Sequence, residues 1–232
     1  MKKLLIATAV ALSLSAAAHA AESTAVLKVA GVLTNDACTP SLDGGGVVDF
    51  GTKYINELSA TETNQLGNKD LSFKISCTAP TKVGFTISDD RADSTANIIV
   101  EHTSFTTPNE TAWTNSIRYG VGKTAGNVNI GAYSVALNRS AVIADGETQS
   151  VVRATPGYDL DTEWSVWTDD KDLLNNSGIY EYSLGSAAGI PVAFTNAEFP
   201  LRVALAVQNT DALAITDNTT LDGQATLTLI YM

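Results

Sequence analysis

The last eight residues read Ala225-Thr226-Leu227-Thr228-Leu229-Ile230-Tyr231-Met232, and their alternation decides the fold class. Apolar side chains recur at every second position, so one face is apolar and the other carries threonine. That period of two belongs to a half-buried β-strand, because successive side chains of an extended chain point to opposite faces. The same period recurs upstream. It runs through Leu201, Val203, Leu205 and Val207, and through Ile130, Tyr133, Val135 and Leu137 with one irregular step. It appears again at Ile117, Tyr119 and Val121, at Val83, Phe85 and Ile87, and at Phe73, Ile75 and Cys77. Near the start, Leu27, Val29, Gly31 and Leu33 alternate as well. Turn-forming clusters break the runs, among them Asp43-Gly44-Gly45-Gly46, Asp145-Gly146, Asn175-Asn176-Ser177-Gly178 and Asp222-Gly223. Many short alternating runs with such breaks predict an all-β sandwich or barrel. Ser59 to Lys69 is polar enough for a short helical turn or a loop. The polar stretch from Asp89 to Thr114 and the acidic, tryptophan-bearing segment 156–178 read as insertions on the sandwich.

The first twenty residues have a different character. Lys2 and Lys3 precede a short apolar run, Leu4 to Leu14, and Ala18-His19-Ala20 supplies a small-x-small cleavage pattern. These three parts predict a secretory signal peptide over residues 1–20. The apolar run is shorter than the roughly 20 residues that a membrane-spanning helix needs, and no transmembrane segment is expected elsewhere. Residues 21–232 then form the exported chain: an N-terminal extension over 21–34 and a single domain over 35–232. Removing Lys2 and Lys3 leaves 12 basic against 25 acidic side chains, a net charge of −13. Such a chain repels phosphate backbones, so nucleic acid is not an expected partner. The two cysteines, Cys38 and Cys77, lie in a chain bound for an oxidising compartment, where an even count reads as a disulfide rather than two free thiols.

Three stretches together resemble the subunits of chaperone–usher fimbriae. The first, Val29-Ala30-Gly31-Val32-Leu33 through to Cys38, is similar to a pilin N-terminal strand with its glycine ahead of the first cysteine. The second is Phe73-Lys74-Ile75-Ser76-Cys77 followed by Val83-Gly84-Phe85. The third is the C-terminal strand, with Tyr231 one residue from the end. The chain is longer than typical pilins and looks like the longer fimbrial-like branch of poorly characterised exported proteins. The resemblance implies an immunoglobulin-like (pilin-type) β-sandwich lacking its last strand. It also implies donor-strand exchange. Leu27, Val29, Gly31 and Leu33 would be the donor strand. Ala225, Leu227, Leu229 and Tyr231 would form the groove and chaperone-binding strand. The implied partners are a periplasmic chaperone, an outer-membrane usher and neighbouring subunits in a homopolymer or mixed fibre at the cell surface. Main-chain hydrogen bonds would hold the donor while alternate side chains fill pockets. Glycine inside a strand marks a close backbone approach, which suits Gly31 at a shallow point of a groove. On the plainer reading, residues 25–33 are the first strand of a complete sandwich.

Other chemistries find little support. His102 is the single histidine after the leader, and its neighbours Glu101, Thr103 and Ser104 cannot all share one site on a strand. One histidine and two paired cysteines do not make a tetrahedral zinc site. Gly120-Val121-Gly122-Lys123-Thr124 has Ile117 where a phosphate-binding loop needs glycine. Asp159, Asp161, Glu163, Asp169, Asp170 and Asp172 lack the spacing of a helix-loop-helix calcium loop. Paired acids with Trp164 and Trp167 leave one rival, a stand-alone secreted sandwich that binds a glycan or other surface ligand. No enzyme activity, cofactor or metal is expected.

Overall fold

The computed structural model describes residues 28–31, 37–107, 109–155, 163–168 and 171–232. The predicted signal peptide, Leu27 and Leu33 lie outside them. The chain divides into two units, residues 1–34 and 35–232. In the first, the described residues 28–31, which include Val29 and Gly31, carry no helix or strand.

The second unit is a β-sandwich of two antiparallel sheets. In chain order its strands are β1 (Cys38–Leu42), β2 (Asn64–Thr81), β3 (Val83–Asp89), β4 (Tyr119–Gly120), β5 (Gly131–Leu137) and β6 (Ile143–Ala144). There follow β7 (Glu147–Thr148), β8 (Ser150–Thr155), β9 (Glu163–Val166), β10 (Glu181–Gly185), β11 (Phe194–Val207) and β12 (Ala225–Tyr231). One sheet has the order β1-β2-β11-β5-β4, with the β6–β7 hairpin attached to β11. The other has the order β12-β3-β10-β8-β9.

The two sheets meet through aromatic side chains that alternation turns inward. Phe73 on β2 and Phe199 on β11 face Phe85 on β3, with ring centroids 5.1 and 5.2 Å from it. Tyr182 on β10 lies 5.6 Å from Phe85. All four are buried, and aromatic contacts of this kind add to the area they remove from water. The disulfide forms as expected between Cys38 and Cys77, which stand directly opposite each other in the β1–β2 ladder.

Ser59 to Lys69 departs from its expectation. Only its first part is loop. From Asn64 the chain enters β2, which runs unbroken for 18 residues. Polar residues such as Asn68 and Lys69 hide the strand from a pattern search, yet β11 pairs with this stretch as far as Asn64. Gly67, at φ +87°, sits where the register slips between Leu205 and Ala206 and bends the pair as a bulge does.

The segments read as insertions divide: 156–178 supplies β9 to the second sheet and buries Trp167 and Leu174 in the main core, while Leu173 and the polar stretch from Asp89 to Thr114 build a second, smaller core on the outer face of the larger sheet. There β5 and β11 present the small side chains Ala132, Ala136, Ala204 and Ala206. Val100, Ala112 and Leu173 pack on them, with Ile98, Phe105 and Ile117 at the rim.

Candidate functional site: an apolar groove beside the C-terminal strand

β12 pairs with β3 in one unbroken register, from Ala225 opposite Asp89 to Tyr231 opposite Val83. Among the described residues nothing pairs with its other edge. Ala225, Leu227 and Leu229 point inward and are half-buried, while Thr226 and Thr228 face solvent. Beside this edge the sandwich is open. A groove of about 840 Å³ runs between the sheets. Leu66 and Leu71 of β2, Val203 and Leu205 of β11, and Ala225 and Leu227 of β12 line it. In a closed sandwich such side chains would be covered. Here Leu66, Leu71, Val203 and Leu227 are packed against the core yet remain half-buried. Of the four residues predicted on the C-terminal strand, Ala225 and Leu227 therefore line the groove, and Leu229 packs against the core beside them.

Tyr231 has a different task. Its ring is half-exposed, and its hydroxyl accepts a hydrogen bond from the Cys38 backbone N–H at 2.9 Å. It ties the end of β12 to the start of β1, beside the disulfide.

Exposed strand edges are templates for pairing, and proteins blunt them with charge, proline, bulges or brevity. Among the described residues, the edges at β1, β2 and β9 are blunted. β1 is five residues long and carries Pro40. The part of β2 that β1 leaves uncovered carries Lys69, Asp70 and the Gly67 bulge, and Asp70 is held by Arg202 at 2.8 Å. β9 is four residues long and begins with Glu163. β12 has none of these devices: from Ala225 to Met232 there is no charged side chain, no proline and no break in register.

The tryptophan-bearing region forms a much smaller cavity, about 150 Å³, lined by Arg153, Trp167, Tyr180 and Tyr182 among others. The Arg153 guanidinium lies 5.5 Å from the Trp167 ring and 5.3 Å from the Tyr180 ring. The space is below the roughly 300 Å³ at which small-molecule sites begin. Trp167 itself is buried against Tyr182, while Trp164 stands half-buried on β9.

Other sequence candidates have structural partners. Asp172 is buried and accepts hydrogen bonds from Ser104 Oγ and Thr106 Oγ1, both at 2.8 Å, and pairs with Arg139 at 3.1 Å. Lys123 pairs with Asp93 at 3.0 Å, and Gly122 takes a positive φ of +94° at the turn after β4. The His102 side chain is exposed, 4.0 Å from Glu101. Among the described residues no group of three potential ligands could hold a metal ion, and no helix is long and apolar enough to cross a membrane. Asp159, Asp161, Asp169 and Asp170 lie outside the described residues.

Sequence reasoning missed one buried acid. Glu110 is buried, and its carboxylate faces Ser104 and Asp172. Burial, followed by the negative charge of Asp172, raises its pKa above the ordinary glutamate value. Within Pro108-Asn109-Glu110-Thr111 no pattern distinguishes it from a solvated loop residue.

Comparison with known sequences places the fold beside uncharacterised proteins. Residues 27–134 match a family described as "Protein of unknown function (DUF1120)". The chain is similar over nearly its whole length to two Escherichia coli (strain K12) proteins. With "Uncharacterized protein YhcF" it shares 28% identity over 99% of this chain and 98% of the relative. With "Protein GltF" it shares 29% identity over 100% of this chain and 99% of the relative.

Proposed function

We propose that this chain is a non-catalytic structural subunit of a cell-surface fibre, an exported immunoglobulin-like sandwich that lacks one strand and receives it from a neighbour. The observation that carries this reading is the pairing of an 840 Å³ apolar groove with an adjacent strand edge that has no protection against pairing. An open groove alone would fit many apolar ligands. An unpaired, uncharged, register-true backbone edge along its rim selects an extended peptide, because main-chain N–H and C=O groups are what it offers. The chain holds a suitable peptide in Leu27, Val29, Gly31 and Leu33, upstream of Cys38. A periplasmic chaperone would fill the groove during folding, an outer-membrane usher would admit the next subunit, and that subunit's N-terminal segment would replace the chaperone. The resemblance of both chain ends to fimbrial subunits supports this order.

The test is thermal. A chain beginning at Asn35 is melted with and without a synthetic peptide spanning Ala21 to Thr34. The peptide is expected to raise Tm by several degrees at saturating concentration, as any ligand specific to the folded state does. Replacing Gly31 in the peptide by leucine is expected to abolish the rise. A cooperative melt that ignores the peptide would refute the reading.

A further inference from the structure

The outer face of the larger sheet carries a buried charge that no neighbouring charge offsets. Arg118 precedes β4 and is extended, at φ −110° and ψ 132°. Tyr119 turns into the main core, so Arg118 turns the other way, toward the second core whose rim includes Ile98. It is 3% exposed. Its Nη1 donates to the Ile98 carbonyl at 2.6 Å, and its Nη2 donates to the side-chain oxygens of Asn97 and Asn115. These acceptors are neutral. Among the described residues no carboxylate pairs with Arg118, and its Nε–H finds no acceptor. Burial lowers its pKa, with no nearby charge to oppose the change. Buried charges are ordinarily paired.

A second orphan belongs to the same face. β4 pairs with β5 through Tyr119 opposite Tyr133 and Gly120 opposite Ala132. One more step in that register sets Arg118 opposite Ser134. Ser134 sits between Tyr133 and Val135, both in the main core, so its side chain also turns outward. It is fully buried, and its hydroxyl has no hydrogen-bond partner among the described residues. Its neighbours on that face are Ala132, Ala136 and Ala204, so packing there asks only for a methyl group. An unpartnered hydroxyl in such a place costs stability.

We propose that Arg118 and Ser134 hold a chloride ion between the guanidinium Nε–H and the serine hydroxyl. Both groups can donate, and neither has an acceptor. A water molecule would accept from both, but it would bring two hydrogens that need acceptors of their own and no charge. Chloride accepts from both, donates nothing and balances the guanidinium. The burial of both residues admits an ion of one atom and not an organic anion. The site lies on the face of the sheet turned away from the groove, so it stands whether or not the groove accepts a strand.

The test uses the chain from Ala21 to Met232 in sodium gluconate, with chloride substituted stepwise at constant ionic strength. Tm is expected to rise by about 3–5 °C for each tenfold increase in chloride above its Kd, as linkage requires of an ion that binds only the folded chain. Ser134→Ala is expected to flatten that response. This variant should melt above the parent without chloride, where the hydroxyl is an orphan, and below it once the parent's site is filled. A parent Tm that ignores chloride, or a variant that tracks the parent at every concentration, would overturn the site. Crystals of the parent grown in sodium bromide give a check that involves no variant. The anomalous signal of bromide is expected within hydrogen-bonding reach of both Arg118 Nε and Ser134 Oγ. Water at that position, or bromide confined to other positions, would overturn the proposal.

Discussion

Replacing both cysteines, Cys38→Ser with Cys77→Ser, is expected to cost about 4 kcal/mol of stability. The bridge closes a loop across a sequence separation of 39 residues. On the chain-entropy relation, opening a loop of that length returns about 13 cal/mol/K to the unfolded chain, or about 4 kcal/mol at 25 °C. The native state loses little, because β1 stays on β2 through the register from Cys38–Cys77 to Leu42–Phe73. Urea denaturation followed by tryptophan fluorescence reads the difference. With an m-value of about 2–3 kcal/mol/M, the midpoint should fall by about 1.3–2 M. The site also holds the Tyr231 hydroxyl bond to the Cys38 backbone. Tyr231→Phe alone should cost about 1 kcal/mol. In the cysteine-free background it should cost less, because the start of β1 is then less fixed and the two changes couple. A midpoint shift under 0.5 M at unchanged m, a limit set at about a quarter of the expectation, would refute the reasoning. It would show that the unfolded chain is already constrained between residues 38 and 77.

Three further outcomes follow from individual positions. Glu110→Gln should match the parent in acid and exceed it in stability at pH 8. The folded state raises the Glu110 pKa through burial and the charge of Asp172. Its contribution is therefore complete below the unfolded glutamate pKa and is lost as pH rises through the folded value. Urea melts at pH 4 and pH 8 check the sign, and a parent that gains on the variant with rising pH would contradict it. Gly120→Ala should destabilise by about 2–3 kcal/mol in the same assay, since a Cβ there would stand 2.0 Å from the Arg91 carbonyl oxygen. Gly126→Ala, whose nearest neighbour would be Thr124 Oγ1 at 3.6 Å, should change stability by less than about 0.5 kcal/mol.

Strands whose apolar residues alternate over five or more positions were legible in the sequence, and strands without such a run were not. Phe73–Cys77, Val83–Ile87, Leu201–Val207 and Ala225–Tyr231 announce themselves because apolar and polar residues alternate. β8 and β10 do not: the apolar pair Val151-Val152 breaks alternation in β8, and in β10 it lasts only from Tyr182 to Leu184. The first half of β2 was hidden for the opposite reason, as its polar side chains suit a loop and only β11 makes it a strand. The disulfide was readable from cysteine count and compartment. The groove was half readable. Its β12 wall follows from Ala225 and Leu227, which alternation exposes. Leu66, Leu71, Val48 and Phe50 come from distant parts of the chain, and nothing local marks them as sharing a surface. The Asp172 network was invisible in the same way, since Ser104 and Thr106 lie 68 and 66 residues from it.

The topology also has a bearing on the order of events during synthesis. Sequence neighbours hold little of the sandwich together. Ser72 on β2 meets Glu198 on β11 across 126 residues, Thr226 of β12 meets Asp90 across 136, and Cys38 meets Tyr231 across 193. Loop-closure entropy must be met before such distant contacts reward it, so architectures of this kind fold slowly. Neither sheet can be completed while its late strand, β11 or β12, is still being made. The chain emerging from the ribosome is therefore a threadable polymer rather than a partly built domain. Most of its long-range pairing must be gained after β12 has been made, at whatever place the chain then comes to rest.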